Sequence, residues 1–240
     1  MTLKPTARSL VPALLLSTAL GLAACGDGGS DGASQPTGDP TSSTEAQTGN
    51  DTAKAGGVTI GADEITLGNP DAPVTMIEYA SMTCPACARF HNDIYPEFKE
   101  RYIETGKVYF VFRPFPLDPV AARASMLLKC LEPDQVQSMI DIMFETQQSW
   151  AGSGNPDENL TALAGNAGMT PADVQACYSD TDKIAWLDGI YRDGQAKYSD
   201  TAYDPPRFFT PTFVIDGKRV VGIQRIEDLE ALIGDVAGAG

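Results

Sequence analysis

The 240-residue chain has one histidine, His91. A single imidazole cannot build a multi-histidine metal site, and it removes most Ser-His and Cys-His hydrolase readings. Basic residues are scarce too: 17 Lys and Arg stand against 32 Asp and Glu, a formal net charge of −15. That balance disfavours nucleic acid and anionic membrane surfaces as partners, and it fits plain solubility. Membrane-length apolar runs are missing. The run near the N-terminus, LVPALLLSTALGLAA (residues 10–24), falls short of the ~20 residues a spanning helix needs. Residues 26–57 contain no aromatic and no large aliphatic side chain. Such a stretch cannot bury enough apolar surface to offset its ordering entropy. The chain carries no internal repeat.

Lys4 and Arg8 precede the apolar run, which ends in Leu22-Ala-Ala-Cys25. A short positive region followed by an apolar core reads as a signal peptide over residues 1–24. Small residues before a cysteine resemble the lipobox of bacterial lipoproteins, in which cleavage precedes the Cys and its thiol is lipidated. The resemblance implies lipidation of Cys25 and a lipid-anchored flexible linker over residues 25–57. It also implies a place in the periplasm or cell envelope, held to a membrane. Ordinary cleavage nearby, with Cys25 an incidental thiol, is the alternative. Either route exports the protein to a compartment where disulfides persist. Two of the 17 basic residues, Lys4 and Arg8, lie in the leader, so the mature chain sets 15 against 32 acids, a net charge near −17. Residues 58–240 amount to one domain.

With Cys25 set aside, four cysteines remain: Cys84, Cys87, Cys130 and Cys177. Four cysteines allow three pairings. Only Cys84 with Cys87 makes a tight local ring, and it leaves Cys130 with Cys177. A four-cysteine zinc site is the rival, but most zinc ribbons need two close-spaced pairs, and Cys130 and Cys177 are far apart.

The surroundings of Cys84 decide more. APVTMIEYAS is rich in β-branched and aromatic residues and predicts a strand over roughly 74–80 that runs straight into the cysteines. Pro85 suits the first turn of a helix. Phe90, Ile94 and Phe98 give that helix a buried face, Pro96 should kink it, and Gly106 is placed to end it. KVYFVFR (107–113) is a second strand, apolar enough to be central. Helical stretches follow: VAARASMLLKCL, then PDQVQSMIDIMFETQQSW, then NPDENLTALAGNAG with an Asn cap. TPADVQACYS has Thr170 and Asp173 in capping-box positions. DKIAWLDGIYRDGQAKY places Ile184, Leu187 and Tyr191 on one face. TPTFVIDGKRVVG is a hairpin around Asp216-Gly217, a type I′ signal, and IEDLEALI is a closing helix.

The order is βαβ, a helical insertion over about 118–200, then ββα: an α/β chain of thioredoxin-like fold. EYASMTCPACARFH (78–91), the YP at 95–96, TGKVYFVFRPFPL and TPTFVIDGKRVVG resemble the DsbA family of exported thiol:disulfide oxidoreductases. The resemblance covers about residues 65–235. A CxxC alone is a weak signal. A CxxC after a strand, with TP opening a hairpin about 125 residues later, is a strong one.

Thiol exchange begins with a thiolate, and a helix N-terminus favours one. Cys84 is therefore the expected nucleophile and Cys87, one turn further in, the resolving thiol of a redox-active disulfide. A purely structural 84–87 ring would be a poor staple, since stabilisation grows with ring size. Oxidases of this family carry Pro-His between the cysteines, whereas this chain has Pro85-Ala86, which points to a weaker oxidant. The resemblance implies a cis bond before Pro211, packed beside the disulfide, with the Thr210 backbone free to pair with an extended substrate. It also implies that Glu78 is a buried acid relaying a proton to the resolving thiol; a solvated strand face is the alternative. His91, four residues after Cys87, is expected at the helix surface without a catalytic role. Cys130–Cys177 would close a ring of about 48 residues, worth at most about 4 kcal/mol as a staple of the insertion.

The expected function is introduction of disulfides into exported proteins, with no organic cofactor and no metal. Unfolded exported proteins are the implied substrates, a membrane partner would reoxidise the enzyme, and a monomer is expected. A reductase or isomerase is one alternative, set back by the lack of a dimerisation domain ahead of the fold. A non-catalytic thioredoxin-fold binding lipoprotein is another.

Overall fold

The structure, a computed structural model, describes residues 53–55, 58–222 and 225–237. The expected signal peptide, Cys25 and linker residues 26–52 lie outside the described residues. Ala53–Ala55, expected in the linker, is instead a short strand, β1, paired antiparallel with β2 (Val58–Ile60). β3 (Ile65–Leu67) then joins the main sheet. These three-residue strands carry too little pattern to be seen in the sequence.

β4 (Val74–Ala80) and β5 (Val108–Pro114) are buried along all seven residues and pair in parallel. The hairpin of β6 (Thr212–Ile215) and β7 (Lys218–Val221) completes the sheet, β6 running antiparallel to β4. The strand order is β3-β5-β4-β6-β7, so both expected strands are interior. Asp216 (φ 43°) and Gly217 (φ 82°) both adopt positive φ, as a type I′ turn requires. Asp216 Oδ1 also accepts the Thr75 N–H at 3.1 Å, locking the turn to β4.

Alternation along β4 sends Met76, Glu78 and Ala80 to one face of the sheet and Ile77 and Tyr79 to the other. The first face is covered by the helix after the cysteines, through Phe90, Ile94 and Phe98. That helix starts as α1 (Pro85–Arg89) and passes through a π-helical turn, π1 (Phe90–Ile94). It continues as α2 (Tyr95–Phe98) and ends in a second π turn, π2 (Lys99–Ile103). Pro96 has no N–H for the usual bond. The Tyr95 N–H reaches back to Phe90 O, so the helix widens ahead of Pro96 rather than stopping. Gly106 (φ 72°) follows its end. The second face holds Tyr79, Val111 and Val214 with Val58 and Ile60. Each large buried side chain, such as Phe98 or Phe112, contributes about 1.5–3 kcal/mol. Arg113, buried on β5, donates to Glu64 at 2.7 Å, the Tyr79 hydroxyl at 2.8 Å and Thr59 O at 2.8 Å, and so ties the N-terminal segment to the sheet.

The insertion runs from Pro119 to Tyr198, close to the expected span. It comprises α3 (Pro119–Leu128), α4 (Pro133–Glu145), α5 (Gln147–Trp150), α6 (Pro156–Asn166), α7 (Pro171–Tyr178) and α8 (Thr181–Tyr198). Proline sits in the first turn of α3, α4, α6 and α7, where its missing N–H costs nothing. The Thr170–Asp173 capping box forms. Two expectations are corrected. Asn155 makes no capping bond and donates instead to Glu158 at 3.1 Å. The helix expected over 133–150 breaks at Thr146, whose hydroxyl bonds Ile142 O at 2.6 Å and competes with the helical ladder. On α8, Leu187 is buried while Ile184 is exposed. Cys130, just past α3, and Cys177, in the last turn of α7, are joined by a disulfide with Cα atoms 6.1 Å apart. Joined to each other, they have no thiolate to offer a zinc site. The closing helix α9 (Ile226–Ala237) packs Leu229 and Ile233 into the core. No helix among the described residues is long and apolar enough to cross a membrane.

Candidate active site

β4 ends at Ala80, and a tight turn, closed by Cys84 N–H to Ser81 O at 3.0 Å, delivers Cys84 to the cap position of α1. Its backbone is extended (φ −78°, ψ 120°), and Pro85 begins the helix. The unsatisfied N–H groups of the first turn face its sulfur. Cys84 keeps 9% of its surface exposed, while Cys87 keeps 0%. Both are free thiols.

The two sulfurs titrate in opposite directions. The Cys84 thiol is lowered from its ordinary value to about 5. The hydrogen bond from the Cys87 thiol is the largest cause and outweighs burial; Thr210 and the backbone N–H groups of Cys87 and Ala86 add to it. Burial pushes the Cys87 thiol well above its ordinary value, helped by the partner sulfur and the charge of Glu78.

Thr210–Pro211 is a cis peptide, as is Asp204–Pro205, which the sequence reading did not single out. Cys84 Sγ lies 3.4 Å from Thr210 O. The buried Thr210 hydroxyl has no hydrogen-bond partner among the described residues, and it is one of the groups that lower the Cys84 thiol. Ala86, Arg89, Phe90, Asp93, Ile94, Pro211 and Gly222 line a cavity of about 290 Å³. The structure thus brings Cys84, Cys87, Thr210 and Pro211 together.

Glu78 is fully buried (0%), opposite Phe112 on β5 and Phe213 on β6, so it does not sit on a solvated strand face. His91 corrects the expectation of a surface residue. It is 5% exposed, and its Nε2 lies 2.9 Å from Glu78 Oε2. It lies in the π turn on the same face as Phe90 and Ile94, and stacks against Phe144 of α4. A lone histidine on an otherwise apolar helix face, 13 residues after a strand acid, was the available signal.

Two further groups escaped the sequence reading. Gln147 is buried and donates to Met82 O at 2.9 Å and Cys84 O at 3.1 Å, clamping the backbone on both sides of Thr83. Thr83 itself donates to Asp118, which also caps α3 by accepting the Ala121 N–H at 2.9 Å. Both contacts join the insertion to the cysteine turn across large sequence separations. Nothing local marks them. Among the described residues, no three His, Cys, Asp or Glu side chains group as metal ligands.

Such a pair of cysteines, one activated at a helix cap and one buried, can exchange a disulfide with another thiol. Comparison with known proteins agrees on the fold. A family model described as Thioredoxin matches residues 61–235. A candidate protein-disulfide oxidoreductase from Rickettsia bellii is 33% identical over 162 residues, which are 66% of this chain and 59% of that protein. The chain therefore spans under two thirds of that relative's length. The crystal structure of Wolbachia pipientis alpha-DsbA1 superposes with a TM-score of 0.64 at 26% identity, covering 74% of this chain and 92% of that one. Oxidised BdbD from Bacillus subtilis shares the fold, with a TM-score of 0.56 at 21% identity over 73% of this chain and 94% of that one. From strand order, helical insertion and cysteine geometry to these likenesses, the chain belongs to the thioredoxin family, among its DsbA-like members.

Proposed function

We propose that the protein is an exported thiol:disulfide oxidoreductase that introduces disulfides into other exported proteins. The observation that carries this reading is the asymmetry of the two thiols: Cys84 held near 5 at the edge of the surface, Cys87 wholly buried and pushed up. In the oxidised enzyme, a substrate thiolate attacks Cys84 Sγ. The Cys84–Cys87 bond breaks, its electron pair leaves on Cys87, and that sulfur takes a proton. The substrate's second thiolate then attacks its own sulfur in the mixed disulfide, and Cys84 leaves as a thiolate. Two electrons have passed from substrate to enzyme.

A low thiol pKa makes Cys84 a good leaving group, which favours the donating direction over reduction or isomerisation. Thr210 offers its backbone to an extended substrate beside Pro211, and Glu78 exchanges a proton with Cys87. A membrane-bound disulfide oxidant resets the pair by the same exchange. The leader and the LAAC sequence support a lipid anchor at Cys25 in the cell envelope, and Cys130–Cys177 serves as a structural staple. Mixing the oxidised protein with a dithiol peptide tests the reading. One peptide disulfide should form per enzyme disulfide lost, and Cys84→Ala should abolish transfer. Wild-type protein that leaves the peptide reduced would overturn the proposal.

A further inference from the structure

We propose that His91 is a positioning residue for the resolving thiol: it holds Glu78 by one carboxylate oxygen and leaves the other free to take and return the Cys87 proton. The inference rests on the exchange reading above and on Glu78 as its proton carrier.

Four observations support it. The His91 and Glu78 side chains are 1% and 0% exposed and meet at 2.9 Å. Among the described residues Glu78 Oε1 has no hydrogen-bond partner, nor does His91 Nδ1. The imidazole is caged: it stacks on Phe144 at 4.2 Å and 19°, and meets the rings of Phe90 at 5.4 Å and Phe112 at 5.9 Å. The charge of Glu78 is felt at the Cys87 sulfur. A buried pair of this kind gives little or no stability over apolar residues of the same volume. Stability alone therefore does not account for it, and an orphaned carboxylate oxygen is a cost unless it is used.

The proton step balances. When Cys87 attacks a mixed disulfide, its thiol proton passes to Glu78 Oε1, giving a Cys87 thiolate and a carboxylic acid. When Cys87 departs as a leaving group, the proton returns. His91 Nε2–H donates to Oε2 and stabilises the carboxylate while Oε1 is empty. Among the described residues, few other titratable groups face the pair. Cys84 and Cys87 lie at the cysteine end. Tyr95 of α2 lies beside the imidazole, its phenol pushed up by burial, with Asp141 of α4 and Glu78 both acting on it. β5 and β6 present Phe112 and Phe213 at the Glu78 register.

The test loads a peptide onto Cys84 as a mixed disulfide and follows its release by Cys87 across pH. His91→Phe fills the cage without a donor and should slow release about tenfold, the loss of one hydrogen bond to a charged group. It should move the pH profile to the alkaline side and leave the Cys84 thiolate titration unchanged. His91→Gln keeps a donor and should recover most of the rate, and Glu78→Gln should be slowed at least as much as His91→Phe. In untagged wild-type protein the single imidazole is a unique NMR reporter. Its ring signals should shift between oxidised and reduced forms and follow the pH profile of release, which keeps the proposal testable if a variant fails to fold. Wild-type rate and profile in His91→Phe beside a slowed Glu78→Gln would overturn the role of His91. So would ring signals indifferent to redox state. An unchanged Glu78→Gln would remove the relay itself, and wild-type protein unable to release the peptide would remove the exchange reading instead.

Discussion

The low value at Cys84 has a dominant cause that one substitution removes. In Cys87→Ala the sulfur loses the thiol donor that contributes most to holding it near 5. A hydrogen bond to a charged group is worth about 1.5–3 kcal/mol, and one pKa unit about 1.4 kcal/mol, so the variant should titrate near about 6–7. It should not return to the ordinary range, because Thr210 and the N–H groups of Ala86 and Cys87 remain. Ultraviolet thiolate absorbance against pH, in the variant and the reduced wild type, reads both values. Equal values in the two proteins would refute the assigned cause, and a wild-type value near the ordinary 9.0 would refute the site electrostatics altogether. The magnitudes also say which step gains. At pH 7 a thiol titrating near 5 is about 99% ionised against about 1% at 9, but the weaker nucleophilicity of the more acidic thiol costs about 50-fold. The net gain in attack is only about twofold, so the effect falls on Cys84 as a leaving group. The sign for stability follows from the lowered folded value. The stability that Cys84 adds to the reduced protein is present in full above about 9, declines as pH falls and is gone below about 5, while the raised Cys87 thiol subtracts stability once pH passes its ordinary value.

Three further outcomes are expected. Gln147→Leu leaves Met82 O without its donor, while Cys84 O retains Ala88 N–H at 3.1 Å, so urea unfolding should show a loss of about 1–3 kcal/mol together with slower exchange. In α8, a Cβ on Gly194 would lie 2.8 Å from the buried Tyr79 ring, whereas one on Gly189 would meet nothing within 4 Å among the described residues. Gly194→Ala should therefore lower stability by about 1–3 kcal/mol and Gly189→Ala raise it by about 0.5–1 kcal/mol, read by melting of both variants. Replacing both Cys130 and Cys177 by Ala opens a link spanning 47 residues and should cost up to about 4 kcal/mol while leaving peptide oxidation intact; loss of oxidation in a folded variant would give that pair a redox role.

Much of this was legible because it is local. β4, the Pro85 helix start, the Phe90-Ile94-Phe98 stripe and the Asp216-Gly217 turn are each written within a few residues, where periodicity and turn chemistry act. The cysteine turn and Pro211 could be placed together only through family likeness, since over 120 residues separate them. His91 was misjudged because its polarity was weighed over its position: four residues after Cys87 and three before Ile94, it falls on the buried face, and only its tertiary partner Glu78 makes a polar side chain tolerable there. Gln147 was invisible for another reason. Its part depends on the helix break at Thr146 and on how the insertion docks, both tertiary outcomes. β1 to β3 were missed because three residues define no alternation.

The reduction potential of Cys84–Cys87, measured by equilibration with glutathione, tests the central claim most directly. Stabilising the Cys84 thiolate stabilises the reduced form and makes the disulfide oxidising, while Ala86 withholds the donor that Pro-His oxidases carry. The account predicts a value between about −180 and −120 mV, between the isomerase and DsbA ranges. A value at or below about −270 mV, that of thioredoxin, would make the protein a reductant and contradict it.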